Sequence, residues 1–435
     1  MKRPPVLTIE VKIKIKDSPY IILIMSIKIQ LKLNRKKFFR VIAVLFPFFL
    51  IFLSEALQIS YKELSGILKA FAAVYMIFYS MLSLKYPSSL LLLLLLFIPV
   101  FGYGIFNSFN INAAIPEGIR YLFPVVVLFY GYSIRSHFTI LLKALILFVI
   151  FNDFVQIINY INWIRGVDQW FYQYLPNGER YYHSSSGIIR ATGIVVFFAI
   201  FGFMNLMAFF LTKKFYTGKR KRLILTIFAI SIFLSFSYKT IGTFLLLLFL
   251  EVKNKLKFFK IAFLVFIIAI ITMPSTLVSM GESLSMRIQQ YITVGDSARS
   301  ESYRVMFYEM ANFNMFGRGI GSFGGPESVR YNSPFYDEVN FDWYKTTNLK
   351  TTDTYYPHLF VELGAVGGLV YLLLILSPIF MKWPKNKFHI VFIIYFSLFF
   401  DSLFSFSLNN IAFLMVSLLL IFPMYFLILK RKSKY

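Results

Sequence analysis

Long apolar runs alternate with short polar segments along most of this chain. A helix needs about 17 to 25 apolar residues to cross ~30 Å of hydrocarbon. Twelve runs approach or meet that requirement, which predicts an all-α, polytopic integral membrane protein with about twelve transmembrane helices. The predicted spans are 41–57, 64–84, 88–106, 118–134, 137–158, 191–212, 222–238, 240–252, 259–279, 357–380, 388–405 and 408–429.

The spans 222–238 and 240–252 are the least distinct pair, because only the short polar group from Ser237 to Thr240 divides them. Both outer flanks of the pair are strongly basic. Basic flanks tend to remain on the cytoplasmic side, so the chain is expected to leave and return to one side. The pattern therefore predicts two crossings here.

The polar segments divide the chain into successive regions. Residues 1–40 are basic and too charged to span, and Met25 would serve equally well as a start, so the first ~24 residues are expected to be dispensable. The predicted order is 1–40, a basic cytoplasmic segment; 41–158, helices one to five; 159–190, a first external loop; 191–280, helices six to nine; 281–356, a large external loop; 357–429, helices ten to twelve; and 430–435, a basic cytoplasmic tail.

Composition supports the membrane assignment and restricts the chemistry. Hydrophobic residues make up 58% of the 435 residues, and the net charge is +25. About two thirds of the 45 Lys and Arg residues fall in segments on one predicted side, which favours a membrane-orientation signal over nucleic-acid binding. Without cysteine, disulfides and thiol catalysis are excluded, and the four histidines lack metal-ligand spacing, so no metal or other cofactor is expected.

The region 281–356 contains the first candidate chemistry. Arg287, Arg299 and Arg304 precede an apolar-periodic stretch that predicts a short amphipathic helix on the membrane surface. Arg299 and Tyr303 share one face of that helix, and Arg304 points away from it. A guanidinium suits phosphate or pyrophosphate, since it donates two parallel hydrogen bonds and stays charged. The alternative is that these arginines contact lipid headgroups or pair with nearby carboxylates.

A glycine turn follows, from Gly317 through Arg318 to Gly321. Its amides could cradle an oxyanion, but a tight turn that ends the amphipathic helix is the favoured interpretation. No strand precedes the turn, which argues against a dinucleotide-binding motif.

His358 lies where the large loop becomes an apolar helix, and Glu362 follows one helical turn later. A histidine there could accept a proton from a hydroxyl, with Glu362 orienting the ring. The alternative is an interfacial polar residue. Asn152, Asp153 and Asp401 are further polar residues near membrane helices, where a structural and a functional role remain equally open.

Four motifs in order resemble the O-antigen ligase and polymerase family. They are Ile189 to Gly193, Leu234 to Lys239, Arg299 to Tyr303 with Gly317 to Phe323, and Pro357 to Gly367. The motifs are short, and the match covers about 190–370. Two departures are that Lys239 stands where the family usually has Ser-Arg, and that Leu359 follows the histidine where Asn is common.

The resemblance implies transfer of an undecaprenyl-pyrophosphate-linked oligosaccharide on the outer face of the bacterial inner membrane, without nucleotide sugar or metal. It implies catalytic roles for His358 and Arg299. Substrate binding is assigned to Arg190, Lys239, Arg304, Arg318 and Glu362.

Within the family, the residue count and the Phe, Ile and Lys-rich composition favour a polymerase over a ligase that transfers to lipid A core. A flippase is the rival from another class, although its charges are expected inside its spans. Membrane lipids, a chain-length regulator and a flippase are the expected partners, and nucleic acid is not.

Overall fold

The computed structural model describes 7–9, 29–31, 35–82, 86–167, 184–185, 188–195, 197–252, 254–256, 297–346, 351–384 and 388–432, with isolated positions between 257 and 296. Four features predicted from the sequence fall wholly or mostly outside the described residues: the segment 1–24, the loop 159–190, the span 259–279 and Arg287.

The described chain is predominantly helical, with two short antiparallel strand pairs. The strands are β1 (Leu7–Ile9), β2 (Ile29–Leu31), β3 (Ser184–Ser185) and β4 (Ile188–Ile189). The helices are α1 (Arg35–Ala56), α2 (Lys62–Met81), α3 (Ser88–Phe106), α4 (Ile111–Ser133), α5 (Phe138–Ile164), α6 (Phe198–Phe215), α7 (Lys221–Leu234), α8 (Tyr238–Glu251), α9 (Ala298–Ala311), α10 (Pro326–Arg330), α11 (Phe335–Glu338), α12 (Trp343–Thr346), α13 (Tyr355–Leu376), α14 (Phe388–Ser402), α15 (Ile411–Val416) and α16 (Leu418–Lys432).

The chain divides into two compact units, 1–46 and 47–435. The described part of the first contains the β1 and β2 pair, in which Leu7 lies opposite Leu31, and the beginning of α1. The second contains the rest of α1 and all later elements.

Eight described helical segments are long and apolar enough to cross a membrane, which confirms a polytopic membrane protein. They are Phe38–Ala56, Lys62–Met81, Ser88–Phe106, Ile111–Ser133, Arg135–Ile164, Phe198–Phe215, Tyr355–Phe380 and Ile411–Lys430. Helices α7 and α8, which correspond to the predicted pair at 222–252, have only 14 residues each. At 1.5 Å per residue each is about 21 Å long, shorter than the ~30 Å hydrocarbon core.

Helix α6 and the carboxy-terminal span occupy the middle of the second unit. Within the most apolar stretch of each, 78% of α6 and 89% of Ile411–Lys430 are buried by protein. Helices α5, α7, α8 and α14 pack against α6. A second packing group joins α3, α9 and α13.

The described part of the large loop, 297–346, has a hydrophobic cluster of its own. Its members are Val305, Met306, Phe323, Phe335, Tyr336, Phe341 and Val361. Because Val361 belongs to α13, the cluster packs the loop against a membrane helix. The loop is therefore packed structure, as its aromatic content predicts.

Candidate functional site

Three interruptions of regular structure meet around one cavity. They are the non-helical residues 190–195 and 197 before α6, the turn 235–237 between α7 and α8, and the segment 403–410 between α14 and α15. The cavity has a volume of 510 Å³. Irregular backbone at membrane depth is tolerated where it lines a cavity, so this convergence marks a candidate site.

Three predicted site cations line this cavity: Arg190 and Lys239, predicted to bind substrate, and Arg299, predicted to be catalytic. They are widely separated in the sequence and arise from three different elements. Eight of the other fifteen described lining residues are aromatic: Phe197, Phe198, Phe236, Tyr238, Phe400, Phe404, Phe406 and Phe413. The cavity therefore combines positive charge with an extensive apolar wall.

One polar face of α5 forms hydrogen bonds with the non-helical residues 190–195, which include Arg190. The Asn152 side chain accepts a hydrogen bond from the Ile194 amide at 2.7 Å, and Gln156 accepts from the Gly193 amide at 2.8 Å. Asn152 and Gln156 are one helical turn apart, so they present adjacent acceptors to the segment. These bonds explain why α6 begins at Phe198 rather than at the predicted residue 191.

Gly193 allows this close approach. Its φ is +62°, and a Cβ at this position would lie 2.1 Å from Asn152 Oδ1. Arg190 lies three residues earlier and is 7% exposed. Its guanidinium carbon lies 4.2 Å from the Phe198 ring centroid, a cation–π contact.

Lys239 is paired with a buried carboxylate at the edge of the cavity. Its Nζ lies 2.8 Å from Asp401 Oδ1 and donates to Ser405 Oγ at 2.7 Å. The same Asp401 oxygen accepts hydrogen bonds from the Ser405 and Ser407 hydroxyls. The charge of Lys239 is therefore balanced by the protein itself.

Arg299 reaches the cavity from the first turn of α9, where Ser297 caps the helix by accepting from the Ser300 amide. Arg299 Nη2 lies 3.4 Å from Asp353 Oδ2. One turn further along α9, the Tyr303 hydroxyl donates to the Leu403 carbonyl at 2.9 Å. The predicted common face of Arg299 and Tyr303 is thus the face that meets the 403–410 segment.

His358 lies outside the described cavity lining and is completely buried. Its Nδ1 is 2.6 Å from the Phe323 carbonyl oxygen. Its Nε2 lies 3.3 Å from Glu117 Oε1 and 3.6 Å from Glu362 Oε2. The ring stacks on Tyr121 and meets Phe406, a cavity residue, edge to face at 5.4 Å between centroids.

Glu362 is also completely buried and holds two neighbours in place. It accepts from the Phe323 amide at 3.1 Å and from the Tyr121 hydroxyl at 3.0 Å. His358 and Glu362 therefore bind both backbone groups of Phe323, the residue at the centre of the loop cluster. The prediction that Glu362 lies beside His358 agrees with this geometry.

The glycine turn packs against α13 at the point where that helix is interrupted. Gly364 has φ 70° and ψ 179°, which interrupts that helix. The freed carbonyls of Val361 and Glu362 accept from the Arg318 and Gly319 amides at 2.9 and 3.1 Å. These amides are thus engaged by protein carbonyls. The prediction that this turn ends the amphipathic helix is wrong, because α9 already ends at Ala311. The turn instead attaches the loop to α13.

Arg304 and Arg318, both predicted to bind substrate, are not among the described cavity residues. Arg304 pairs with Glu301 on the exposed side of α9. Arg318 donates two hydrogen bonds to Glu309, at 2.8 and 3.0 Å. Burial alone would raise the pKa of Glu309, but hydrogen bonds from Arg318 and Asn314 lower it below the usual carboxyl value.

Sequence reasoning did not single out Glu117 as a partner of His358. Glu117 lies one residue before the predicted span 118–134, whereas α4 begins at Ile111 because Asn110 caps it by accepting from the Asn112 amide. Glu117 is therefore inside the helix, where it also binds Arg120 at 2.8 Å. A carboxylate at the edge of an apolar run was the available signal.

Comparisons of the chain with protein-family models, with curated proteins and with solved structures find no match.

Proposed function

We propose that this protein is an O-antigen polymerase, a membrane glycosyltransferase that joins undecaprenyl-pyrophosphate-linked oligosaccharide units. The observation that carries the proposal is the convergence of Arg190, Lys239 and Arg299 on one aromatic-walled cavity. An anionic group attached to a long apolar chain has the two chemistries that this cavity offers. The motif resemblance to the O-antigen ligase and polymerase family supports the same class of substrate.

The proposed chemistry uses the cations to stabilise the leaving group. Charge develops on the pyrophosphate as its bond to the anomeric carbon of the sugar breaks, and fixed guanidinium groups stabilise that charge. Arg299, with part of its side chain exposed, is the residue we assign to this step. Arg190 supplies a second guanidinium group, and Lys239 adds a positive charge whose position is fixed by Asp401.

The proposed topology has twelve spans, with both termini cytoplasmic and the loop 281–356 outside. The basic segment before α7 would then lie at the inner face. A hairpin of helices about 21 Å long would end below the outer surface of a ~30 Å core. The cavity at the turn 235–237 would therefore be recessed in the outer leaflet, where a lipid-linked donor has direct access.

A reconstitution experiment tests the function. Purified protein in lipid vesicles receives undecaprenyl-pyrophosphate-linked repeat units, and the products are separated by size. We expect a ladder of lengthening glycans and release of undecaprenyl pyrophosphate. Transfer only when lipid A core is supplied would identify a ligase instead. Movement of the lipid-linked unit between leaflets without new glycosidic bonds would identify a flippase.

A deletion strain gives the matching result in cells. Loss of a polymerase should leave one repeat unit on the lipid A core, whereas loss of a ligase should leave bare core. A surface-glycan ladder that is unchanged in the deletion strain would reject the proposal.

A further inference from the structure

The transfer requires a group that accepts the proton of the attacking sugar hydroxyl. This inference rests on the proposed function, and it concerns which residue performs that step. His358 was the predicted base, but its contacts in the structure argue against that role.

One ring nitrogen of His358 is hydrogen-bonded to the protein, and the other faces two carboxylates. A carbonyl oxygen has no proton to donate, so the 2.6 Å contact with the Phe323 oxygen requires the proton to be on Nδ1. Nε2 then faces carboxylate oxygens of Glu117 and Glu362, at 3.3 and 3.6 Å. A bare lone pair between two carboxylates would be repelled, so a proton is held on Nε2 or on one of them. The imidazole therefore offers no free lone pair to a hydroxyl.

Among the described residues that line the cavity, the one carboxylate is Asp353. A second carboxylate, Asp401, lies next to the lining, where it pairs with Lys239. The side chain of Asp401 is 4% exposed, and one of its oxygens is surrounded by Lys239, Ser405 and Ser407. The side chain of Asp353 is 57% exposed. Its contacts are Arg299 at 3.4 Å and the Thr351 hydroxyl at 3.1 Å. A carboxylate has about four acceptor sites, so Asp353 retains room for a sugar hydroxyl.

The backbone fixes Asp353 firmly despite this exposure. Both neighbouring threonines are buried and anchored to other elements: the Thr352 amide donates to the Gly324 carbonyl at 3.1 Å, and the Thr354 hydroxyl lies 2.8 Å from that of Ser302 on α9. Asp353 itself has φ +53°, a left-handed conformation that costs a non-glycine residue about 1 kcal/mol. Anchored neighbours and a left-handed backbone together present the carboxylate beside Arg299.

We propose that Asp353 is the catalytic base of the transfer. The acceptor hydroxyl gives its proton to the Asp353 carboxylate while its oxygen bonds to the anomeric carbon of the donor sugar. The bond from that carbon to the pyrophosphate oxygen breaks, and its electron pair leaves with the pyrophosphate. Arg299 touches both the leaving group and Asp353, so acid–base and electrostatic catalysis act side by side. His358 then serves as a positioning residue that holds Phe323.

Asp353→Asn tests this assignment in the reconstituted vesicles, because it removes the basic carboxylate and preserves the size of the side chain. We expect kcat for polymer formation to fall by ~10²–10⁴-fold. Binding of the lipid-linked donor, measured separately by equilibrium binding to the purified protein, should change by less than about 3-fold. Asp353→Glu keeps a carboxylate and should recover part of the lost rate.

Asp337→Asn is the matched control, since it makes the same chemical change on an exposed loop aspartate that pairs with Lys345. It should retain wild-type kcat. If Asp353→Asn keeps its kcat, or weakens donor binding without lowering kcat, Asp353 is not the base and only this inference fails. If the wild type forms no glycosidic bond under the same conditions, the proposed function fails and the inference fails with it.

Discussion

The three cavity cations differ in how far the protein already balances their charges. Lys239 is bound to a buried aspartate, whereas the partner of Arg299 is more than half exposed. A water-exposed carboxylate holds its cation more weakly than a buried one, so an arriving pyrophosphate can bind that cation beside the carboxylate. Of these two cations, Arg299 is therefore the better placed to respond to the donor.

Replacing Arg299 by Lys should separate charge from geometry. The ammonium keeps the positive charge but loses the two parallel donors of the guanidinium. We expect polymer formation to fall by on the order of 10²-fold in the vesicle assay. Arg304→Lys is the control, because Arg304 lies on the exposed side of α9 and pairs with Glu301. A similar loss in both variants would show that the effect is not specific to the cavity.

Glu309 should make the stability of the loop depend on acid pH. Hydrogen bonds from Arg318 and Asn314 hold its pKa below the ordinary carboxyl value of 4.5 in the folded protein. A lowered pKa contributes stability that is present above the unfolded value and is lost as pH falls through the folded value.

Thermal unfolding of the purified protein at a series of pH values between neutral and about 3 checks this. The wild type should lose stability below about pH 4.5. Glu309→Gln should be less stable at neutral pH and should show a smaller loss on acidification. An equal pH dependence in both proteins would rule out Glu309 as its source.

The sequence patterns identified candidate site residues better than they identified which residues contact one another. Arg190, Lys239 and Arg299 were selected because of motif order and side-chain chemistry, and the structure brings them together. The proximity of Glu117 to His358 could not be read from the sequence, since 241 positions separate them and the contact depends on how α4 packs against α13.

At the scale of elements, the loop is connected to the membrane helices by two features that contact each other. They are the interruption of α13 at Gly364 and the glycine turn from Gly317 to Gly321. Gly317 has φ +79°, and a Cβ there would lie 2.3 Å from the Glu362 carbonyl oxygen. That separation is incompatible with a Cβ atom, and the left-handed backbone would add strain for a residue with a side chain. The turn can therefore approach α13 only because it is glycine.

Gly317→Ala should detach the loop from α13. We expect a loss of on the order of 3 kcal/mol or more, from strain and from steric overlap. Limited proteolysis of this loop in the purified protein measures the detachment. Gly102→Ala on α3 is the control, because no atom lies within 4 Å of its added Cβ, and helix propensity favours Ala by about 1 kcal/mol. Equal protease resistance of the two variants would contradict this account of the turn.

The hydrophobic pattern predicted the existence of helices well and their ends less well. Apolar periodicity located α7 and α8, but it could not show that each stops after 14 residues. Phe236 adopts a left-handed φ of 47° in the turn between them. The turn has the sequence Ser-Phe-Ser and contains neither Gly nor Pro, so no strong helix-breaking residue marks it in the sequence.

At the scale of the whole molecule, the proposed topology places the described loop and the segment between α6 and α7 on opposite sides of the membrane. The chain has no cysteine, so an introduced thiol is unique. Lys345 and Thr217 are both exposed, whereas Ser333 in the same loop is buried and would react poorly from either side.

In cells with a permeabilised outer barrier, Lys345→Cys should react with a membrane-impermeant maleimide. Thr217→Cys should react only after lysis. Labelling of Thr217→Cys in intact cells would show that the proposed orientation is reversed or that the chain crosses the membrane one time fewer between the two positions. The first place to examine would then be the α7 and α8 hairpin.

The hydrogen bonds between the loop and α13 have a consequence for biosynthesis. The loop leaves the ribosome before α13 does, yet the amides of Arg318, Gly319 and Phe323 find their acceptors on Val361 and Glu362. Until α13 has been translated and inserted, these donors lack their native partners and the loop cluster lacks Val361. Maturation of the loop therefore waits for a later membrane helix, so a nascent chain halted before Tyr355 lacks the acceptors that hold the loop in its native packing.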